Sequence, residues 1–438
     1  MPNCTVQQEM FGSVGRRRIE VGFDGGDVTS DAGLLLIRKV DEQMGLLSRV
    51  AAVLPDPRDP DRIDHSIEDL MRQRVYGIAQ GYEDLNDHDR LRHDLALQTA
   101  LGKVTPGASS PTLCRLEQRA DRAVAGAIHE VIIERFIASY AMPPAELILD
   151  FDATDDPVHG NQEGRFFHGY YDHYCFLPLY VFCGEQLLVS YLRPAKIDGA
   201  KHAGAILKLL VKQLRAAWPN ARIIFRGDSG FCRRRILSWC ERNGVGYIVG
   251  LARNPRIEYL ASWWMESAME AHALTGKGVR CFGEVFYRAG TWREPRRVIV
   301  KAEITHTAKA NPRFAVTNLT DHPQSLYEEI YCARGEMENR IKECQLGLFA
   351  DRTSCHRWWP NQFRLLIASL GYILMQQLRS IALAGSELAS AQAQTIRVKL
   401  LKVGAVIVRN TRRIRFFIAS AFPLRDLFLA AAMRLNAT

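Results

Sequence analysis

The segment at residues 331–354 spaces five polar side chains so that they can share one face of a helix. Tyr331, Arg334, Glu338, Lys342 and Gln345 follow one another at offsets of three, four, four and three. Side chains three and four positions apart are neighbours on an α-helix, so the spacing predicts one carboxylate among a phenol, two cations and an amide. Taken alone, a glutamate on such a face is most often a solvent-exposed ion-pair partner.

Two further carboxylates lie upstream, each at the end of a segment with strand character. Asp152 ends the run LILDFD and is followed by Ala-Thr, while Asp228 ends IIFRGD and precedes Ser-Gly, which can open a helix. Open sheets place their sites at such strand ends. Three carboxylates in one pocket repel one another by about 1 kcal/mol per pair in water and about 4 kcal/mol at an effective dielectric constant of 20. Such a cluster is therefore expected only around cations.

The donor set indicates which cation. Oxygen ligands with no histidine or cysteine close by favour Mg²⁺ or Mn²⁺ over zinc. Two such ions about 3.5–4 Å apart activate a water or a 3′-hydroxyl and stabilise the leaving oxygen of an in-line phosphoryl displacement. The three acids, Asp152, Asp228 and Glu338, thus predict a two-metal centre for phosphoryl transfer.

Asp150 competes with Asp152 for the first position, because it lies on the same strand face two residues earlier; Asp155 and Asp156 are weaker rivals. The run LILDFDAT also fits the hhhhDxDxT pattern of haloacid-dehalogenase-like phosphatases, in which the first aspartate is the nucleophile and the second the general acid. That alternative expects another acid soon after GDSG, where FCRRR supplies arginines, and it gives Glu338 no role.

The elements that must position these acids follow from the apolar spacing. Residues 1–145 are predicted to be mainly helical after a short extended start, with one helix running from Ser110-Pro111 towards Pro143-Pro144. Residues 146–254 alternate strands and helices, with two strands joined at Gly184, and indicate an α/β fold with a mixed sheet. Residues 255–325 have the pattern of an antiparallel β insertion, and residues 326–438 return to helical character.

Composition places the chain among ordinary globular proteins. Of the 438 residues, 47% are apolar and 24% charged, and no 18-residue stretch is both apolar and uncharged, so no membrane span is expected. The N-terminus lacks the apolar core of a signal peptide, which favours the cytoplasm. The ten cysteines, Cys4 among them, include no CxxC pair and are predicted to be reduced thiols.

The charge balance suits a polyanionic partner. The chain has 57 Lys and Arg against 48 Asp and Glu, a net charge of +9. A C-terminal run without acids carries Arg397, Lys399, Lys402, Arg409, Arg412, Arg413 and Arg415. Both a solvated positive face and a phosphate-binding surface are consistent with this run.

Several sequence blocks together carry a resemblance to a known family. DFDATDDPVHGNQ, HGYYDHY, FRGDSGF and ENRIKE…ADRTS occur in order, and the chain resembles DDE transposases of bacterial insertion sequences from about residue 15 to about residue 435. The pattern Y-x2-R-x3-E-x6-K marks the branch, and more narrowly the blocks resemble the insertion-sequence family designated thirteen-eighty. The resemblance implies an RNase H-like catalytic core interrupted by a β-rich insertion.

The resemblance also implies roles for single residues. Asp152, which precedes x-Thr as the family's first aspartate does, would form the metal-holding triad with Asp228 and Glu338. Tyr331 and Arg334 would contact phosphates at the transposon end, where an arginine fork suits a phosphate. The family has lysine where this chain has Gln345, and Lys342, one turn back, can substitute for it.

The partners implied are double-stranded DNA, as terminal inverted repeats and target, and a second copy of the chain, since two ends need at least two protomers. The N-terminal helices are the expected end-binding and pairing region. A transposon-derived DNA-binding protein that no longer cuts is the non-enzymatic alternative.

Overall fold

The computed structural model describes residues 7–437, so Cys4 lies outside them. The chain divides into two compact units. One contains the described residues up to Leu47, Asp56–Leu116 and the described residues from Gln377 onward. The other, which contains all the acids singled out above, comprises Ser48–Pro55 and Glu117–Gln376.

The described residues before 146 form short strands and then helices. They are β1 (Gln7–Val14), β2 (Arg17–Val21), β3 (Val28–Thr29), α1 (Leu34–Met44), α2 (Leu46–Val53), α3 (Ile67–Gln80), α4 (His88–Leu91), α5 (Leu95–Ala100), α6 (Ser110–Gln118) and α7 (Arg122–Ala138), with 3₁₀ turns at Pro60–Arg62 and Leu85–Asp87.

The single helix predicted from Ser110 towards Pro143 is wrong, because the chain forms α6 and α7 separately. Asp121 caps α7 by accepting a hydrogen bond from the Val124 N–H at 2.9 Å. An aspartate favours this extended capping position over a helix interior, so the apolar periodicity continues across a break in the backbone. The second helix ends at Ala138.

Strands dominate the next part of the chain. The elements are β4 (Glu146–Ala153), β5 (Asp156–Pro157), β6 (Phe166–His168), β7 (His173–Phe176), β8 (Leu179–Cys183), β9 (Gln186–Tyr191), α8 (Ala203–Ala217), β10 (Arg222–Gly227), a 3₁₀ turn (Ser229–Phe231), α9 (Arg234–Arg242), β11 (Gly246–Leu251), α10 (Pro255–Leu260), α11 (Ser262–Thr275), β12 (Val279–Tyr287), β13 (Arg296–Ile304) and β14 (Arg313–Thr317).

Helical structure returns after β14, but much of it is irregular, and two paired strands between residues 405 and 418 depart from the helical character predicted for residues 326–438. The elements are α12 (Pro323–Ser325), a π-helical turn (Leu326–Tyr331), a 3₁₀ turn (Cys332–Arg334), α13 (Gly335–Lys342), a π-helical turn (Glu343–Gly347), α14 (Trp358–Gln377), a π-helical turn (Leu378–Ala382), α15 (Ala393–Ile396), a π-helical turn (Arg397–Leu401), β15 (Ala405–Arg409), β16 (Ile414–Ile418) and α16 (Arg425–Ala437).

An eight-stranded mixed sheet organises the second unit, as the sequence predicted for its α/β fold. Its strand order is β12-β13-β14-β11-β10-β4-β8-β9, and β10 runs parallel to both β4 and β11 while the other pairs are antiparallel. Gly227 of β10 lies opposite Phe151 of β4. Asp152, the next residue of β4, and Asp228, the residue directly after β10, therefore emerge at the same edge of the sheet.

The segment at 255–325 contributes to this same sheet. It begins with two helices, α10 and α11, and then supplies the antiparallel strands β12, β13 and β14. Because β14 pairs with β11, these strands extend the sheet beyond β11.

The two faces of β4 have different environments, as strand alternation requires. Leu149 and Phe151 face a large apolar core that includes residues of α8 and α9. Ile148 faces the other way and packs near the π-helical turn at Leu326–Tyr331, together with residues of β10 and β11. Strand alternation puts Asp150 and Asp152 on this second face, which packs against the segment that leads to Glu338.

One helical stretch, Trp358–Ala382, is long and apolar enough to cross a membrane by length and composition. Within the structure 72% of its most apolar window is buried, and a core helix satisfies the same criterion. None of the cysteines among residues 7–437 forms a disulfide.

Candidate active site

Asp152 occupies the end of β4 and is almost fully buried, with 9% of its surface exposed. Its Oδ1 accepts a hydrogen bond from the Ala153 N–H at 2.9 Å, and its Oδ2 accepts one from Arg334 Nη1 at 3.2 Å. Burial raises the pKa of Asp152 to about 7, with further upward contributions from Asp228 and Glu338 and an opposing one from Arg334. The three predicted acids therefore share one electrostatic environment.

Asp228 follows β10 and caps the 3₁₀ turn that begins at Ser229. Its Oδ1 accepts a hydrogen bond from the Gly230 N–H at 2.8 Å, the usual capping role of an aspartate. Its Oδ2 has no hydrogen-bond partner among the residues that the structure describes. The turn thus fixes the carboxylate and leaves one oxygen available to a ligand.

Glu338 lies in the first turn of α13, and 49% of its side chain is exposed. This exposure is typical of a glutamate in a surface ion pair, which is the ordinary role of a glutamate on such a helix face. Its partner is nevertheless Arg334, whose Nη2 donates to Glu338 Oε1 at 2.8 Å while Nη1 reaches Asp152. One guanidinium therefore joins the helix glutamate to the strand aspartate.

The acidic side chains do not form a preassembled metal cage. Among residues 7–437, no three His, Cys, Asp or Glu side chains are grouped closely enough to hold a metal ion. The donors nevertheless suit a hard cation, because all are carboxylates and a positive group, the Arg334 guanidinium, already lies against two of them. Asp152, Asp228 and Glu338 would be the residues to hold Mg²⁺ or Mn²⁺.

Tyr331 lies over the end of β11, beside the Asp228 turn. Its hydroxyl is 2.6 Å from the position that a Cβ would take at Gly250, and the Ser229 amide nitrogen is 2.8 Å from that position. The pKa of Tyr331 is raised, mainly by burial and also by the nearby Asp228 carboxylate, while the Arg334 guanidinium partly offsets the increase. Gly250, which sequence reasoning missed, thus lets the Tyr331 segment approach the site, and a glycine inside an apolar strand was the available signal.

The helix face predicted over residues 331–345 is only partly an α-helix. The backbone is 3₁₀ at Cys332–Arg334, α-helical through α13 and π-helical from Glu343. Lys342 is exposed and forms no ion pair among the described residues. The Gln345 amide donates to the Asp155 carbonyl at 2.8 Å, so it contacts the loop that follows Asp152.

Asp150 has a separate environment from Asp152. It is fully buried and forms a bidentate ion pair with Arg226, the residue opposite it on β10, with Nη2 donating to Oδ2 at 2.5 Å. Burial raises the pKa of Asp150, and the paired Arg226 guanidinium offsets only part of that increase. Arg226 also donates to the Ile330 carbonyl, so the pair ties the sheet to the segment before Tyr331.

Three of the sequence blocks meet near the site. Asp156 accepts a hydrogen bond from the Thr353 hydroxyl at 2.9 Å, which joins the DATDD block to ADRTS. Asp155 pairs with His173 at 2.9 Å, which joins it to the HGYYDHY block. These contacts hold the loop after β4 and account for residues that sequence reasoning left without a role.

The basic C-terminal run contains residues of two kinds. Arg397 is buried and donates to the carbonyls of Ala79 and Ile78 at 2.8 and 3.1 Å. Lys402 pairs with Asp31 at 2.7 Å. In contrast, the exposed members are Lys399, Arg412, Arg413 and Arg415. Part of the run therefore stabilises the first unit, and part faces solvent.

The fold and the site define a class: an α/β protein in which Asp152 and Asp228 lie at the ends of two neighbouring parallel strands of a mixed sheet, beside Arg334 and Tyr331. A family model described as a transposase DDE domain, group 1, matches residues 11–438. The chain belongs to this family, which confirms the resemblance to DDE transposases that its motifs carried.

Comparison with solved structures finds a piggyBac transposase synaptic complex with hairpin DNA, determined by cryo-EM. The match has 12% sequence identity and a TM-score of 0.41, and covers 85% of this chain and 80% of that one. No curated protein matches the chain.

Proposed function

We propose that this transposase cleaves DNA at the ends of an insertion sequence and transfers the freed strands into target DNA, with Mg²⁺ or Mn²⁺ as cofactor. Within the family we assign it to the Y-x2-R-x3-E branch and to the bacterial insertion-sequence family designated thirteen-eighty. The observation that carries the proposal is the Arg334 bridge between Asp152 and Glu338, with Asp228 emerging from the neighbouring strand.

Asp152, Asp228 and Glu338 are the proposed metal ligands. Two divalent ions held there would activate a water or a 3′-hydroxyl and stabilise the leaving oxygen. Asp152 must lose its proton to serve as a ligand, and its pKa of about 7 makes that loss accessible near neutral pH. Asp228 offers its open Oδ2, and Glu338 is accessible from solvent.

Phosphate binding is assigned to the residues around the acids. Arg334 presents a fork suited to a phosphate, and Tyr331 has a hydroxyl donor beside the Asp228 turn. Lys342 is the free cation nearest along the helix among the described residues and takes the place of the family lysine. Gln345, bound to the Asp155 carbonyl, contributes to DNA binding through the loop it holds.

The architecture suits an RNase H-like core. The strand order β9-β8-β4-β10-β11, with β4, β10 and β11 parallel, would form that core, and β12–β14 would be the insertion that precedes the glutamate helix. The helices within residues 1–145 are assigned to end binding and dimerisation. We propose a homodimer on double-stranded DNA, acting in the bacterial cytoplasm at the nucleoid.

The phosphatase alternative is disfavoured by the contacts of Asp150. A nucleophilic aspartate must reach its substrate, whereas Asp150 is fully buried and paired with Arg226. Hydrolysis of p-nitrophenyl phosphate that Asp150→Asn abolishes would support the phosphatase. Binding of transposon ends without any cutting would support the non-catalytic alternative.

The decisive experiment is an end-cleavage assay with the full chain and DNA that carries the element's inverted repeats. Mg²⁺-dependent 3′ nicking and strand transfer are expected from the wild type, and their loss with retained DNA binding from Asp228→Asn and Glu338→Gln. Unchanged nicking by either variant would refute the triad.

A further inference from the structure

Arg334 lies where two of the proposed metal ligands converge. Its Nη1 donates to Asp152 Oδ2 at 3.2 Å and its Nη2 to Glu338 Oε1 at 2.8 Å. Only 19% of the side chain is exposed, so the guanidinium is held against the acids. A guanidinium in contact with both carboxylates and a divalent ion bound to the same oxygens would place like charges side by side. The two cations therefore compete.

The same guanidinium suits a second kind of partner. Its planar fork pairs equally well with a carboxylate and with a phosphate. A DNA phosphate near the site can thus replace Asp152 and Glu338 as the partner of Arg334 without leaving any charge unpaired, provided that a metal ion takes over the two carboxylates.

The backbone around Arg334 is suited to such an exchange. Arg334 ends a 3₁₀ turn that lies between the π-helical turn Leu326–Tyr331 and α13. Short 3₁₀ and π segments within a helix often mark functional hinges and sites.

We infer that Arg334 is a displaceable counter-ion that closes the metal site in the DNA-free protein, and that DNA opens the site by drawing the guanidinium onto a phosphate. The inference rests on the proposed function, since it takes Asp152 and Glu338 as metal ligands. It adds regulation to that site, because metal ions and DNA then bind with positive coupling. By linkage the coupling is reciprocal, and typical values are about 5–150-fold in affinity.

A matched control lies on the same helix. Arg340 pairs with Glu336 at 2.9 Å in the same four-residue spacing, and its side chain is 14% exposed, close to that of Arg334. Arg340 has no hydrogen bond to Asp152 or Glu338. Arg340→Gln therefore removes a comparable cation and ion pair from α13 without touching the proposed metal ligands.

The test measures Mn²⁺ binding to the full chain from the electron paramagnetic resonance signal of free Mn²⁺, at a pH above the Asp152 pKa, with and without end DNA. The variants are Arg334→Gln, Arg334→Lys, Arg340→Gln and Asp152→Asn, each checked for folding by circular dichroism. DNA-free Arg334→Gln is expected to bind Mn²⁺ about tenfold more tightly than wild type, within the usual range of coupling. Arg334→Lys, which keeps the charge but loses the fork, should lie between the two.

The expected outcomes separate the inference from the proposed function. DNA should tighten Mn²⁺ binding by the wild type and Arg340→Gln but much less by Arg334→Gln, and Asp152→Asn should weaken it in every state. If Asp152→Asn weakens binding and Arg334→Gln does not tighten it, the counter-ion role is wrong while the metal site stands. If Asp152→Asn leaves Mn²⁺ binding unchanged, the proposed metal site fails and the inference fails with it. Should Arg334→Gln not fold, an Arg334→Lys affinity equal to wild type would overturn the inference.

Discussion

At the scale of single residues, two aspartates on one strand face have different tasks. Asp150 and Asp152 are two positions apart on β4, yet of the two only Asp152 accepts a hydrogen bond from Arg334, the residue directly before the helix that carries Glu338. Asp150 instead pairs with Arg226 inside the protein. The sequence allowed either to be the first acid of the triad, because strand alternation gives both the same face.

This difference predicts that the same substitution lowers the free energy of unfolding by unequal amounts at the two positions. Asp150→Asn leaves the Arg226 guanidinium buried with a weakened partner, and removing one member of a buried pair costs about 3–5 kcal/mol in the free energy of unfolding. Asp152→Asn removes a buried carboxylate of raised pKa and should cost much less, while abolishing cleavage. Urea unfolding of both variants checks the prediction, which is contradicted if Asp150→Asn is as stable as Asp152→Asn.

A buried histidine gives the stability of the protein a pH dependence. His88 is fully buried and near Gln73, with Nδ1 3.3 Å from the amide nitrogen, and burial lowers its pKa from 6.5 to about 3. The unfolded chain binds a proton at this residue as the pH falls below about 6.5, whereas the folded chain does not until about 3. The contribution of His88 to the free energy of unfolding is thus fully present above pH 6.5 and is lost on acidification.

We expect His88→Gln to flatten this dependence. For the wild type, the contribution of His88 to the free energy of unfolding falls by about 1.4 kcal/mol per pH unit between about pH 6.5 and pH 3. Urea midpoints measured across that range should decline less steeply for the variant, and parallel curves would show that His88 titrates alike in the folded and unfolded states. The exposed His306, substituted in the same way, is the control.

At the scale of elements, the sequence predicted the parts of the site that depend on local patterns. The strand ending at Asp152, the strands joined at Gly184 and the strand ending at Asp228 all lie where alternation and turn residues placed them. The break before α7 was missed because apolar spacing continues across Asp121. The pairing of β14 with β11 could not be predicted, since it depends on contacts distant in sequence.

The irregular helix was likewise beyond the sequence pattern. Offsets of three and four residues predict one face only where the backbone is α-helical, and here π and 3₁₀ turns flank α13. Gln345 lies in the second π-helical turn, and its amide donates to the Asp155 carbonyl. The Arg334–Glu338 pair keeps its predicted four-residue contact because Arg334 is the N-cap residue of α13 and Glu338 lies in the first turn of that helix.

Close packing of the Tyr331 segment on β11 predicts a strong effect of one methyl group. Gly250→Ala would put Cβ 2.6 Å from the Tyr331 hydroxyl and 2.8 Å from the Ser229 nitrogen, so the tyrosine or the Asp228 turn must move. A misplacement of about 1 Å in an active site can cost about a hundredfold in rate. Single-turnover end cleavage should fall by that order.

Gly335→Ala is the control for this substitution, because a Cβ there meets nothing within 4 Å. Its cleavage rate should equal that of the wild type. Full activity of Gly250→Ala would mean that the approach of Tyr331 to the Asp228 turn has no bearing on the chemistry.

At the scale of the whole molecule, the basic residues behind the net charge of +9 differ in their environments. Several cations of the C-terminal run are engaged within the first unit, as Arg397 and Lys402 show, while Arg412 and Arg413 are exposed between β15 and β16. Composition alone could not divide the run in this way, because the partners of Arg397 lie more than three hundred residues earlier.

Exposed arginines between β15 and β16 should contribute to DNA affinity by neutralising phosphates. Replacing Arg412 and Arg413 by glutamine is expected to lower the slope of log affinity against log salt by about 0.9 for each phosphate that the variant no longer neutralises. The matched control replaces the exposed Lys277 and Lys309. Equal slopes for wild type and the Arg412/Arg413 variant would remove this surface from the DNA interface.

The most direct test of the metal-centre assignment is the anomalous scattering of Mn²⁺ in crystals of the protein bound to its end DNA. We expect anomalous peaks against the carboxylates of Asp152, Asp228 and Glu338, with the Arg334 guanidinium on a phosphate. Mn²⁺ bound elsewhere, with Arg334 still joining Asp152 to Glu338, would contradict the assignment.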